Sequence, residues 1–291
     1  MDTSASRASQ LFSVKDYVCL VTGGGTGIGL MAAQALAANG AKVYITGRRM
    51  EALEQAAKHH SPNGEGGGSI IPIGPCDVTK KEELEKLVDN LKGKEKYLNL
   101  LVAAAGIPGK KAPPEGDTAQ SIRDALWAEE TPESWAENYT TNVSSVYFST
   151  VAFLPLLASC PKDQSPSVIV ISSMSGLMKD HQGHFSYNAG KAAVAHLSGM
   201  MSREFHRVGV RVNSIAPGYF PSEQTMKESD ERQKSYMPDE KVLDKGHPVP
   251  AKRAGKEEEM AQAVLFLTKC GYVTGEILKL DGGVLNEVGQ T

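Results

Sequence analysis

From residue 16 onward the chain alternates short β-branched runs with helical patterns, and that alternation admits few architectures. "YVCLVTG" (17–23) reads as a strand, followed by an alanine-rich helix that ends at Gly40, a left-handed C-cap residue. "KVYITG" is a second strand and "MEALEQAAKHH" its helix; "SIIPIG", the charged amphipathic "KKEELEKLVDNLK" and "LNLLVAAAG" continue the series. After an irregular stretch come a long helix over 132–158, the strand "SVIVISS", a helix from residue 185 and the strand "VRVNSIAPG". A polar segment (219–250), a helix near 256–269 and the strand "GEILKLDGG" close the chain. Strands alternating with helices of about ten to fifteen residues mean βαβ units, hence a parallel sheet covered on both faces. The expected fold class is α/β, a doubly wound sheet of about seven strands.

One unbroken series of strands favours a single domain over 1–291, and 291 residues that are 41% hydrophobic can fill one core. Residues 1–13 are expected to be flexible, as is the turn "SPNGEGGGS" (61–69). A net charge of −3 without a basic tail argues against nucleic acid as a ligand. No run of 18 apolar residues occurs and the N-terminus lacks a secretory apolar stretch, so the expectation is a cytoplasmic protein with no membrane partner. Cys19, Cys76, Cys160 and Cys270 lie far apart without a CxxC pair, which predicts structural thiols and no metal site.

In a doubly wound sheet ligands sit beyond the carboxyl ends of the strands, where the strand order switches. The first strand runs directly into "TGGGTGIG" (22–29), which opens a helix. Gly23 permits the sharp turn, Gly27 lets backbone approach a pyrophosphate, and Gly29 lets the helix pack close to the sheet. Nineteen residues past Gly29 stand Arg48 and Arg49 in "YITGRR", where an NAD site carries an acid. A guanidinium can fork onto a 2′-phosphate, so NADP(H) is the expected cofactor.

"FSYNAGKAAVAHLSGMM" (185–201) then acquires chemical meaning, because Tyr187 and Lys191 stand one helical turn apart on one face. Hydride transfer to a ketone leaves an alkoxide that needs a proton donor. An ammonium roughly 5 Å from a phenol, at an effective dielectric of about 20, supplies on the order of 3 kcal/mol, or about two pKa units. The pair predicts an acid–base device with its phenol drawn towards neutral pH.

With TGGGTGIG, the aspartate of "CDV", "AAAG", "NVSS", "ISS", YNAGK, "PGYFPS" and "LDGG" in this order, the chain resembles the short-chain dehydrogenase/reductase family from about residue 14 to 284. Within it, "APGYFPS" and "GKEEEMAQAVLFLT" look most like rhamnolipid-type 3-oxoacyl reductases and related ketoreductases. The resemblance implies a Rossmann-type fold and an NADP(H)-dependent oxidoreductase acting on a ketone or secondary alcohol. By this similarity Ser173 would hydrogen-bond the substrate carbonyl, with Ser172 and then Ser175 as competitors for the role. Asn142 would anchor a water that relays protons through Lys191, and Lys191 would also hold the nicotinamide ribose. Ile28 of the glycine turn, Asp77, Val78, Ala105, Gly106, Pro217, Gly218, Phe220 and Ser222 would contact the cofactor. The resemblance further implies a homotetramer, or a homodimer, built through the long helices and the last strand. The same scaffold could serve imine reduction, epimerisation or dehydration, or a non-catalytic nucleotide-binding regulator; intact Ser173, Tyr187 and Lys191 argue against the last.

Two departures stand out. Ala103 and Ala104 replace the two asparagines the family usually carries before its Ala-Gly, so polar contacts that brace the sheet are expected to be lost. The stretch 107–132 is longer than a connection needs and is a candidate wall of the substrate entrance. The segment from Tyr219 to His247 is the natural lid, with five basic and seven acidic residues; 107–132 has three and five. Acyl carrier proteins are acidic and call for a basic rim, so a free, bulky, largely apolar ketone is expected.

Overall fold

The computed structural model describes residues 3–62, 67–161, 163–243 and 247–289. Seven parallel strands form one sheet: β1 Val18–Thr22, β2 Lys42–Thr46, β3 Ser69–Pro72, β4 Leu100–Ala103, β5 Ser167–Ile171, β6 Arg211–Pro217 and β7 Ile277–Leu280. The order is β3-β2-β1-β4-β5-β6-β7, so the winding reverses between β1 and β4 and opens a crevice above their carboxyl ends. The chain is a doubly wound, Rossmann-type α/β fold, as the alternation requires.

Alternate residues along each strand feed the two faces. In β1, Cys19 and Val21 join Leu30, Leu36, Val264 and Leu267 on one side. The helices covering that side are α1 (Gly27–Ala38), α2 (Met50–His60) and, near the C-terminus, Glu257–Lys269. Val18 and Leu20 join Leu84, Leu91, Phe153, Leu157, Val194 and Met201 on the other side. There α3 (Lys81–Lys92) lies beside two longer helical runs, over 132–158 and over 185–205. All of the β1 side chains are buried, which explains why that strand reads as a continuous apolar run.

Two expectations are revised. The stretch after β4, read as irregular, contains α4 (Ala119–Glu129), whose N-cap Thr118 and Ser121 form a reciprocal capping box. The long helix over 132–158 is interrupted: α5 (Pro132–Tyr139) passes through a π-turn at Thr140–Ser144 into α6 (Ser145–Ala158). That composite run is long and apolar enough to cross a bilayer, with mean hydropathy 1.3, yet half of it is buried. It packs on α3, on β4 and on α7 (Phe185–Phe205), where a core helix belongs. The N-terminal stretch carries a 3-10 turn at Thr3–Ser6 and one helical turn at Ala8–Leu11. Of the turn 61–69, residues 63–66 lie outside the described residues, as do Met1 and Asp2.

The segment 219–250 carries two short helices, Glu223–Met226 and Asp239–Leu243; its Asp244 and Lys245 lie outside the described residues. A third apolar cluster holds it down, with Met237, Val242 and Val249 packed against Met174 and Met178 of the loop after β5.

Candidate active site

A cleft of about 820 Å³ runs over the carboxyl edge of the sheet. It is lined by every predicted site residue except Asn142, which stands just behind its wall. Gly23 has φ +66°, and a Cβ there would lie 2.8 Å from Ala105 Cα, so the glycine is needed for both the turn and the approach of the two strand ends. A Cβ on Gly29 would lie 2.2 Å from the Gly23 carbonyl oxygen, which sets α1 against the turn. Thr26, the N-cap of α1, makes no side-chain cap bond, so the first amides of that helix are directed at the cleft.

The alanines that replace the family's asparagines do not leave the sheet end loose. Thr22 Oγ1 accepts from the amides of Ala104 (3.2 Å) and Ala105 (3.4 Å), tying the exit of β4 to that of β1. The expected loss of bracing is thus corrected: a hydroxyl on β1 supplies it. Its signal was the threonine of the glycine turn itself.

The two arginines separate. Arg49 donates to Glu223 Oε2 at 2.6 Å, an exposed pair joining the end of β2 to the lid helix. Arg48 has no ion-pair partner among the described residues and lines the cleft. Asp77 lies opposite; hydrogen bonds from Thr79, with Lys80 and Arg48 nearby, hold its carboxyl below the usual range against the opposing effect of burial. Glu223 lies 174 positions from Arg49, and no sequence pattern connects the two.

At the other end of the cleft, α7 presents Tyr187 and Lys191 to the loop after β5. That loop sits flush on the helix: a Cβ on Gly176 would lie 2.4 Å from the Lys191 carbonyl carbon. Ser173 is thereby brought to the same wall of the cleft as Tyr187. Ser172 faces away, donating to the Ile215 carbonyl (2.9 Å) and accepting from Ser214 Oγ (2.7 Å). Ser175 Oγ donates to Gln182 Oε1 at 2.8 Å. Ser172 and Ser175 are thus engaged with other side chains or backbone, which leaves Ser173 to face the tyrosine's side of the cleft.

Lys191 is buried, 5% exposed, with Nζ donating to the Ile171 carbonyl at 2.9 Å and lying 5.7 Å from the Tyr187 ring centre. Burial pulls its ammonium down to about 8. Burial also pushes the Tyr187 phenol above its ordinary value, with the Ser173 hydrogen bond pulling the other way. The expectation of a phenol drawn towards neutral is therefore not met: burial is the larger effect on the phenol and raises it.

Asn142 stands inside the π-turn, whose extra residue frees its side chain from the helix surface. Its Oδ1 accepts from the Ile107 amide and its Nδ2 donates to the Ile107 carbonyl, each at 3.0 Å. Nδ2 also lies 3.0 Å from Asn138 Oδ1. Asn138, fully buried one turn earlier, was missed by the sequence reading; an asparagine pair four apart in a helix, where asparagine is disfavoured, was the available signal. Val78 and Phe220 are buried side chains at the cleft wall, and Gly106, Pro217, Gly218 and Ser222 complete it.

The model of the short chain dehydrogenase family matches residues 17–233. This chain belongs to the short-chain dehydrogenase/reductase family. Among its relatives, the short-chain dehydrogenase/reductase PhomF of Diaporthe leptostromiformis is 39% identical, over 96% of this chain and 94% of that protein. The rhamnolipids biosynthesis 3-oxoacyl-[acyl-carrier-protein] reductase of Pseudomonas aeruginosa is 32% identical, over 94% and 97%. The solved Pseudomonas aeruginosa RhlG/NADP active-site complex superposes with a TM-score of 0.74 at 29% identity, covering 94% of this chain and 98% of that one. The rhamnolipid-type resemblance read from "APGYFPS" is met by these relatives. The protein is an oxidoreductase of this family, and the cleft lies at the family's switch point.

Proposed function

We propose that this short-chain dehydrogenase/reductase is an NADP(H)-dependent carbonyl reductase in which Tyr187 exchanges the proton at the substrate oxygen. The observation that carries the reading is the convergence of Ser173, Tyr187 and Lys191 on one wall of the cleft, with Lys191 Nζ 5.7 Å from the Tyr187 ring centre. The cleft fits the cofactor on its own terms. Cβ-free backbone at Gly23, Gly27 and Gly29, uncapped amides of α1 and the unpaired Arg48 suit a diphosphate followed by a 2′-phosphate. By the family resemblance Asp77 and Val78 would contact the adenine, Ala105 and Gly106 its ribose, and Pro217, Gly218, Phe220 and Ser222 the nicotinamide end, and all of them line the cleft. A bound nicotinamide supplies the hydride.

The chain's own residues then divide the remaining work. Ser173 and Tyr187 both direct hydroxyls at a carbonyl oxygen, orienting it and giving it the proton. Lys191, its ammonium lowered to about 8 by burial, would favour the charge left on Tyr187, and Asn142, held by Ile107 and Asn138, would anchor a water that returns the proton through Lys191. The relatives' names include reductases of carrier-bound 3-oxoacyl groups. For this chain we favour a free, bulky ketone: the described lid from 219 to 243 still has four basic against six acidic residues, and Lys234 is paired with Glu257 at 2.6 Å. Its working place is the cytoplasm, with four free cysteines, and its assembly a homotetramer.

Turnover with NADPH of one 3-oxoacyl group, as a small thioester and on carrier protein, in wild type and Tyr187→Phe, tests the reading. Tyr187→Phe is expected to bind NADPH normally and to lose at least ~10²-fold in kcat. Near wild-type turnover by Tyr187→Phe removes the mechanism, and a tenfold preference for the carrier-bound form removes the free ketone.

A further inference from the structure

Ser173 belongs to a hydrogen-bonded chain that runs from the cleft wall into the lid. The Ser175 amide donates to Ser173 Oγ at 3.1 Å, and Ser175 Oγ donates to Gln182 Oε1 at 2.8 Å. Gln182 Nε2 donates in turn to the Tyr219 hydroxyl oxygen at 2.9 Å. That hydroxyl lies 3.0 Å from His247 Nε2, with the two rings stacked at 5.9 Å. The His247 ring, its side chain 5% exposed, faces Asp180 Oδ2 with Nδ1 at 3.7 Å. Ser173, Ser175, Asp180 and Gln182 belong to the loop between β5 and α7, whereas Tyr219 and His247 come from opposite ends of the lid.

The same two segments share the apolar cluster in which Met174 and Met178 meet Met237, Val242 and Val249. Apolar contact holds the lid down without fixing its register, because methionine side chains adapt to their neighbours. The polar chain supplies the direction. Ser173 and Ser175 are buried and Gln182 and Tyr219 half-buried, so removing one partner leaves another poorly satisfied.

We propose that Tyr219 is a positioning residue: through Gln182 and Ser175 it fixes the Ser173 hydroxyl when the lid is seated, so that lid closure and alignment of the reacting group are one event. This rests on the reading of Ser173 as a group that meets the substrate carbonyl. A displacement of ~1 Å in such a group costs up to on the order of 10²-fold in rate.

The test combines amide hydrogen exchange with kinetics on the full-length protein. Tyr219→Phe keeps the ring and its stack on His247 and removes only the hydroxyl. It is expected to exchange about tenfold faster across 173–182, with β5 and α7 unchanged. It should also lose about tenfold in kcat, with the dissociation constant for NADPH within about twofold of wild type. Gln182→Met should behave alike, and carries both readouts if Tyr219→Phe folds poorly; the double variant should be no worse than either single one. Unchanged exchange across 173–182, faster exchange with wild-type kcat, a matching loss of NADPH affinity, or losses that multiply in the double variant would each overturn the proposal. Should wild type reduce no ketone with NADPH, the proposed function falls, and the exchange measurement still decides whether Tyr219 latches the lid to the loop.

Discussion

At the scale of single residues, the sequence pointed to the proposed reacting groups because their chemistry depends on local spacing. Tyr187 and Lys191 are a helical turn apart, and the three glycines share one turn. What it left open were partners supplied from far along the chain. Nothing local distinguishes Ser173 from Ser172; the decision is made by Ser214 and Ile215 of β6, which take up the latter. Likewise only Glu223 separates the two arginines. Arg48→Ala is expected to raise KM for NADPH by about tenfold and leave NADH nearly unaffected, since NADH has no 2′-phosphate to lose. Arg49→Ala should change both cofactors alike and little, its exposed pair being worth at most ~1 kcal/mol; steady-state kinetics with the two cofactors checks this. Lys191 offers a second test. Its folded pKa of about 8 lies below the unfolded 10.5, so the folded state disfavours its proton. Below pH 8 both states hold the proton and the full penalty, about 3 kcal/mol, is present. Between pH 8 and 10.5 the unfolded chain binds more protons than the folded one, and stability rises. Lys191→Met should therefore melt a few degrees higher than wild type at pH 7, with the gap closing by pH 10.5. A gap that stays constant with pH would show that the penalty is not one of charge.

At the scale of elements, the strands and most helices follow from periodicity, and the failures have physical causes. The π-turn at Thr140–Ser144 changes the helical register by one residue without any break in apolar content, so the pattern over 132–158 reads as one helix. Its cause is tertiary: Asn142 must reach the backbone of Ile107, and the extra residue lets it do so. Helix α4 escaped notice because it buries no residue, and an apolar stripe is what periodicity detects. Asn142 also explains why the exit of β4 ends in glycine. A Cβ on Gly106 would lie 2.8 Å from Asn142 Oδ1 and 3.7 Å from Lys191 Nζ. Gly106→Ala must push a buried, fully engaged asparagine off Ile107. Such overpacking costs about 1–3 kcal/mol, so the urea midpoint is expected to fall with unchanged m, and kcat to fall with it. A variant that loses stability but keeps its turnover would show that Asn142 holds the fold together and plays no part in the proton path.

At the scale of the whole molecule, the doubly wound parallel sheet followed from the alternation of elements, whereas the outer surface did not, because a sequence pattern records what one chain buries and is silent on what a second chain covers. The structure leaves Tyr147, Phe148 and Val151 of α6 exposed at 41%, 38% and 38%, and Met200 of α7 at 57%. Tyr147 and Val151 are one turn apart and share a face, on a helix whose opposite face is core. β7 pairs only with β6 among the described residues, so its outer edge presents unpaired amides and carbonyls. Apolar surface on a helix and an open strand edge on the same molecule are what association removes. The expected solution state is a tetramer, four times the 31.1 kDa chain, with one contact through α6 and α7 and another through β7. Val151→Lys places a charge in the middle of the helical contact and should divide the tetramer into dimers, leaving each fold and its NADPH affinity intact. Light scattering at micromolar concentration reads both states, and a 31.1 kDa wild-type monomer would mean that these exposed side chains face only water.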